Sequence, residues 1–177
     1  MKTYIALLRG INVSGKNKVP MAELRALLSK LGFANVQTYI QTGNIIFQSA
    51  NNNTLVLAAE IEKGIQSCFG FQVPVLVLQP STLHTIFNKC PFPQSENENS
   101  YFMLLFAKPN NALINDVLQI NCPNETFSIT NKCVYFYCKT GYGKAKCNNN
   151  FFEQKLKVTA TARNYKTMLK LLSLSTQ

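Results

Sequence analysis

Residues 3–32 read TYIALLRGINVSGKNKVPMAELRALLSKLG, and the way this stretch folds decides between two architectures. Gly10-Ile-Asn-Val-Ser-Gly15-Lys16-Asn17 has the G-x-x-x-x-G-K spacing of a phosphate-binding P-loop, with Asn17 where a Ser or Thr hydroxyl would hold magnesium. A P-loop needs its helix to open at the lysine, so that backbone N–H groups and the helix dipole face the phosphates. Pro20 disfavours helical geometry at Val19, and proline is itself suited to a first helical position. The helix therefore opens near Pro20, with Met21, Leu24, Leu27, Leu28 and Leu31 on one face. No candidate strand supplies the magnesium-binding Asp either, because NIIFQ, VLVLQ and LLFAK end without a carboxylate. These features exclude a nucleotide loop, and residues 9–19 read as a connection after a short buried strand at Tyr4–Leu8.

Working outward, Gly32 closes the helix in the manner of a left-handed cap. Val36–Ile40 and Ile45–Phe47 read as strands joined by the tight hairpin Gln41-Thr-Gly-Asn44. Asn53 or Thr54 opens a second helix, which carries Leu57, Ile61, Ile65 and Cys68 and ends at Gly70; Val73–Leu78 is a β-branched strand. The order is βαββαβ, the ferredoxin-like split βαβ unit. Ser81 caps a short helix to about Lys89, and the proline-flanked, acidic segment 91–99 reads as a linker. Tyr101–Ala107, a helix at about 112–120, the pair Thr126–Thr130 and Cys133–Tyr137, and helices at about 150–157 and 164–172 follow. This second half reads as βαββα, with an extra C-terminal helix where the last strand belongs. The expected fold is α+β with two fused ferredoxin-like halves: residues 1–79, a helix and linker at 80–99, and residues 100–177.

The chain of 177 residues is long enough for one substantial core or two small fused subdomains. Its first apolar run is broken by Arg9, too early for a signal-peptide core, and no later run reaches a membrane span. A soluble, cytoplasmic protein without membrane association is expected, its oligomeric state open. The six cysteines include no C-x-x-C pair, and His84 is the single histidine. That spacing argues against zinc, and the thiols read as reduced, small buried hydrophobes; no metal or cofactor is expected. The net charge of +10 is uneven, with nine basic residues and only Glu153 as an acid in 132–177. An anionic partner follows, with nucleic acid and phosphorylated metabolites foremost, although a solvated basic face explains the same asymmetry.

The opening TYIALLRGINVSGKNKVPMAELRALLSKLGFANVQTYIQTGNIIFQS and the ending TATARNYKTMLKLLSL resemble domain-of-unknown-function family 1697, an uncharacterised and mainly bacterial family. The ending matches that family's T-x-R-N-x-x-T motif and the Lys-Leu helix after it. The resemblance covers roughly residues 3–49 and 151–174, and departs at Ala145-Lys-Cys147, where a hydroxyl residue is expected beside the Gly-Lys pair. It implies an α+β fold of two ferredoxin-like halves and brings no established activity.

The polar residues divide into three groups. Arg9, Asn12, Lys16, Asn17 and Lys18 lie on the first loop; Gln41, Thr42 and Asn44 lie in the hairpin turn; Arg163, Asn164 and Thr167 lie at the start of the last helix. Arg offers a planar fork and Asn both donor and acceptor, and helix-start N–H groups favour an anion. Arg9, Asn12, Lys16, Lys18, Asn44, Arg163 and Asn164 are thus the candidate site for a phosphate-bearing small ligand, with Arg9 and Arg163 clamping it. The structural alternative makes the arginines carbonyl or ion-pair partners, and the asparagines turn and cap residues. No catalytic set is evident: His84 has no obvious Asp, Glu23, Glu60 and Glu62 sit on predicted exposed helix faces, and Glu153 reads as a salt-bridge partner. Nonspecific nucleic-acid binding along the basic C-terminal quarter and a protein-interaction module using exposed sheet edges remain open. An RNA-binding aromatic octapeptide is absent, and Tyr135 and Tyr137 read as a half-buried sheet face with reaching hydroxyls.

Overall fold

The structure is a computed structural model that describes Met1–Thr176. It divides into two compact units, Met1–His84 with the chain from Lys170 onward, and Thr85–Leu169. The first unit runs β1 (Lys2–Leu8), α1 (Met21–Lys30), β2 (Ala34–Tyr39), β3 (Asn44–Ser49), α2 (Thr54–Phe69) and β4 (Val75–Leu78). Its sheet has the order β2-β3-β1-β4, and every neighbouring pair is antiparallel. Tyr4, Ala6 and Leu8 alternate along β1 and join Ile45 and Phe47 of β3 in a core against Leu24 and Leu28 of α1 and Leu57, Ile61 and Ile65 of α2. The expected helix boundaries have visible causes. Pro20 stands at the N-cap of α1 in extended geometry, and Gly32, at φ 89°, turns the chain out after Leu31. Asn53 caps α2 by accepting from the N–H groups of Leu55 and Val56, and Gly70 ends it at φ 81°. Gly64 lets α1 and α2 pack closely, since a Cβ there would meet Leu31 Cδ1 at 2.9 Å.

In the second unit the elements are β5 (Tyr101–Leu105), α5 (Asn111–Leu118), β6 (Glu125–Ile129), β7 (Cys133–Cys138), α6 (Asn149–Leu156) and β8 (Ala160–Asn164). Its sheet order is β6-β7-β5-β8, again antiparallel throughout. Met103, Leu105, Val134 and Phe136 line one face, packed with Val117, Phe152 and Leu156 from the helices. Helices α3 (Pro80–Asn88), α4 (Gln94–Asn97) and α7 (Tyr165–Ser175) complete the fold, and the divisions between units fall inside α3 and α7.

Two expectations are corrected. A last strand does exist in the second unit: β8 pairs with β5 from Tyr101↔Asn164 to Leu105↔Ala160, and α7 follows it rather than replacing it. Its sequence, ATARN, is poor in strand-forming residues, but its free edge is held by side chains of α6. Ala160 donates its N–H to Glu153 Oε1 (2.8 Å), and its carbonyl accepts from Asn149 Nδ2 (2.9 Å). Secondly, the cysteines are not all free thiols, because Cys122 and Cys147 form a disulfide across a sequence separation of 25. Cys68, Cys90, Cys133 and Cys138 are unbonded. Among the described residues no helix is long and apolar enough to cross a membrane.

Candidate functional site

The loop that imitates a P-loop is a miniature β-hairpin. Ile11 and Val19, both buried in the first core, anchor its two ends, so residues 12–18 project between them. Val13 and Lys16 form an antiparallel bridge, and Lys16 N–H donates to Val13 O at 2.9 Å. The two residues between, Ser14 and Gly15, have φ of 51° and 76°, the pair of positive angles that a type I′ turn demands. A further bond joins Asn12 N–H to Asn17 O at 3.1 Å. Lys16 therefore stands on a hairpin arm, and α1 begins later, at Met21.

Asn12 fixes this hairpin to the unit. Its Nδ2 donates to Val19 O (3.0 Å) and to Gln41 O (2.9 Å), while its Oδ1 accepts from Val19 N–H (2.9 Å). Asn17 Nδ2 closes the base by donating to Gly10 O at 3.1 Å. With these amides engaged, the exposed Lys16 and Lys18 are the loop's outward cations, and half-buried Arg9 sits at its root. A shallow concavity of about 580 Å³ beside the hairpin is lined by Asn12, Gly15, Lys18, Met21 and Gln41 among others. Asn44 is not a turn residue. It is the first residue of β3, fully buried, and its Nδ2 donates to Tyr39 O (3.0 Å) and Thr42 Oγ1 (2.9 Å). The turn itself, residues 40–43, carries positive φ at Ile40 and Gly43.

Arg163 and Asn164 belong to the second unit, so the expected site residues are shared between the units: Arg9, Asn12, Lys16, Lys18 and Asn44 on one, Arg163 and Asn164 on the other. Arg163 lies in β8, not in the helix. It is buried, and its guanidinium donates to Thr161 Oγ1 and Ala162 O, each at 2.8 Å. Asn164 ends β8 and caps α7, its Oδ1 accepting from Thr167 N–H at 2.9 Å. Glu62 and Glu153 also have structural duties: Glu62 Oε1 accepts from Val75 N–H at 2.8 Å, at the start of β4, as Glu153 does at the start of β8.

Asn164 also lines a polar cavity of about 460 Å³ in the second unit, together with residues that the sequence did not single out as a site. Lys139, Lys166, Asn164 and Glu98 line it together with Tyr101, Tyr137 and Tyr142. Tyr101 and Tyr142 stack with ring centroids 4.0 Å apart. The signal for it was the Gly141-Tyr-Gly-Lys144 run, in which Gly141 leads into a 3-10 turn at Tyr142–Lys144. Tyr135, by contrast, is buried, and its hydroxyl donates to Ile86 O at 2.8 Å, so it offers no stacking surface for a base. Burial raises the pKa of the Tyr135 phenol and that of the neighbouring Cys133 thiol, and Cys133, fully buried, packs as a small apolar residue.

Residues 1–135 match the family described as "Protein of unknown function (DUF1697)". Among solved structures the chain is similar to the conserved bacterial protein SP0830 from Streptococcus pneumoniae, with 26% identity and a TM-score of 0.78 over 100% of this chain and 99% of that one. No curated protein matches the chain.

Proposed function

The chain belongs to the DUF1697 family of proteins of unknown function, and from that premise we propose that it binds an anionic, phosphate-bearing small ligand through the basic hairpin of its first unit. The observation that carries this reading is a loop made rigid while its cations face outward. Asn12 ties the loop to Val19 and to the Gln41 carbonyl through both Nδ2 and Oδ1, and Lys16 and Lys18 stay exposed beside a concavity. No acidic residue lies between Arg9 and Glu23 in the sequence. Loops held by a rigid scaffold are where binding residues concentrate. The roles follow from chemistry: Lys16 and Lys18 attract the anion, Arg9 contributes at the root, and Asn12 and Asn44 position the loop and the neighbouring turn. On the other unit the start of α7, capped by exposed Asn164, is a second position that favours an anion, with Arg163 buried in the adjoining strand β8. The βαββαβ order with its two antiparallel sheets supports reading each unit as ferredoxin-like.

Nonspecific nucleic-acid binding is the second reading, supported by a different observation. Of the nine basic residues in 132–177, the eight lysines are all exposed and only Arg163 is buried. The two readings separate in a thermal-shift panel of inorganic phosphate, pyrophosphate, sugar phosphates, nucleotides and short oligonucleotides at low and high salt. A small ligand at about one hundred times its dissociation constant stabilises by about 2.7 kcal/mol, a shift of several degrees for a chain of this size. Selective stabilisation that persists in salt and disappears in the Lys16→Ala/Lys18→Ala variant supports the hairpin site. Shifts with every oligonucleotide that vanish at high salt point to the lysine-rich surface. No shift with any small anion sinks the first reading.

A further inference from the structure

We propose that Cys122, Glu125 and Cys147 form a binding site for a thiophilic divalent cation, zinc being the leading candidate, when the Cys122–Cys147 disulfide is reduced. The three residues come from two parts of the sequence. Cys122 lies in the connection between α5 and β6, Glu125 opens β6, and Cys147 lies in the connection between β7 and α6. The second unit brings these connections to one end, where Lys139 N–H donates to Asn124 O at 2.9 Å. The two sulfurs and a carboxylate oxygen all lie within 4.8 Å of one another. In a tetrahedral zinc site, metal–sulfur bonds of about 2.3 Å and metal–oxygen bonds of about 2.0–2.2 Å hold the ligand atoms roughly 3.5–3.8 Å apart. Cleaving the disulfide lets the sulfurs separate to that spacing by side-chain rotation, with both backbones already in place.

The carboxylate is also oriented as a metal ligand needs to be. Glu125 Oε1 accepts from Lys146 N–H at 2.6 Å, and Oε2 accepts from Cys147 N–H at 2.8 Å. Such outer bonds fix a ligating carboxylate and leave each oxygen a further lone pair for the metal. Cys147 is fully buried while Cys122 and Glu125 are half-buried, so the site is shielded from within and open to solvent on one side. Two thiolates, one carboxylate and a water complete the four positions of zinc.

Metal and disulfide compete for the same two sulfurs, which makes the site redox-gated. A peroxide takes two electrons from the two metal-bound thiolates: the S–S bond forms, the O–O bond breaks, two protons are taken up, and two waters and the free cation leave. A dithiol reductant reverses the change at sulfur by becoming a disulfide itself. In either state the segment 139–148 is held at Cys147, and that segment supplies Lys139, Gly141 and Tyr142 to the cavity wall.

The test is a cobalt(II) titration of the full-length protein after dithiol reduction and anaerobic removal of the reductant, followed by zinc displacement. The expected result is a thiolate-to-cobalt charge-transfer band that saturates at one equivalent and is abolished by zinc. The band disappears in Cys122→Ser and in Cys147→Ser, and after peroxide treatment of the native chain. Glu125→Gln keeps the hydrogen-bond frame on one oxygen and weakens affinity by about 10–100-fold. Circular dichroism checks that each variant is folded, and half-buried Cys122 supplies the decisive variant should Cys147→Ser unfold. Absence of the band in the reduced native protein overturns the proposal. So does a band that survives in Cys122→Ser, which would assign it to the remaining thiols.

Discussion

In the first unit Leu8 N–H donates to Gly43 O at 2.8 Å, and in the second Leu105 N–H donates to Lys132 O at 2.9 Å. The next residues repeat the pattern, Arg9 N–H to Pro74 O and Phe106 N–H to Thr159 O, both at 2.9 Å. A glutamate on the second helix of each unit then accepts the first N–H of the last strand, Glu62 from Val75 and Glu153 from Ala160, both at 2.8 Å. These bonds join corresponding places in chains with no recognisable sequence repeat. The units differ in their connections. The first expands the link from β1 to α1 (residues 9–20) and keeps that from β3 to α2 short (50–53); the second has a short 106–110 and a long 139–148. Within such a sheet these two links lie at opposite ends, so the units have elaborated opposite ends of one scheme. The backbone scheme tolerates almost any sequence that buries the right faces, and the candidate chemistry sits on the connections it leaves free.

The sharpest way to break this equivalence is at Gly43 and Lys132, whose carbonyls do the same work. Gly43 has φ 76°, and a Cβ there would lie 2.5 Å from Leu8 Cβ, which has no freedom to move aside. Gly43→Ala is expected to destabilise by about 3 kcal/mol, combining backbone strain with overpacking. Lys132→Ala removes an exposed side chain from an ordinary conformation and should stay within about 0.5 kcal/mol. Urea unfolding of both variants measures the contrast. Similar losses at the two positions would mean that the carbonyl's place, not the glycine, sets the cost.

The paired glutamates give the next effect. Glu153→Met leaves the Ala160 N–H at a strand edge without its acceptor, an expected loss of about 2 kcal/mol, and Glu62→Met about 1 kcal/mol at Val75. The larger value falls on β8 because ATARN has little strand propensity of its own. Glu→Gln at either place retains a carbonyl acceptor and should recover most of the loss. Amide hydrogen exchange reads the effect directly: protection should fall at Ala160 in one variant and at Val75 in the other. Unchanged protection in both would remove the glutamates from the shared scheme.

The first unit was legible in the sequence because its signals are local: Pro20 and Gly32 bracket α1, Asn53 and Gly70 bracket α2, and apolar periodicity fills the elements between. Rejection of the P-loop rested on the same local chemistry at Val19-Pro20. The second unit hid what depends on distant partners. Strand β8 is stabilised by side chains of α6, so its own residues announce little. The Cys122–Cys147 pair has no spacing signature, and only the packing of two connections brings it together. For the candidate site, residue types were readable and their duties were not. Asn12, Asn44 and Asn164 looked alike in sequence, yet one braces a hairpin, one is buried in a strand and one caps a helix.

The smallest effects come from two buried tyrosines, one in each unit. Tyr135 and Cys133 have pKa values raised chiefly by burial, from ordinary values of 10.0 and 9.0, so the folded state keeps protons that the unfolded chain releases. Their contribution is complete below pH 9 and is lost as pH climbs above the unfolded values, by up to about 1.4 kcal/mol per pH unit for each group. Tyr135→Phe should therefore cost about 1 kcal/mol at neutral pH, where it strands Ile86 O, and should remove the tyrosine's share of the alkaline decline while leaving that of Cys133. Tyr4 is equally buried, but its hydroxyl has no hydrogen-bond partner among the described residues. Removing an unpaired hydroxyl relieves a desolvation cost, so Tyr4→Phe should be neutral or stabilising by about 0.5 kcal/mol. Urea midpoints of both variants at neutral and alkaline pH give the comparison. A loss in Tyr4→Phe as large as that in Tyr135→Phe would reveal a partner for the Tyr4 hydroxyl and erase this difference between the units.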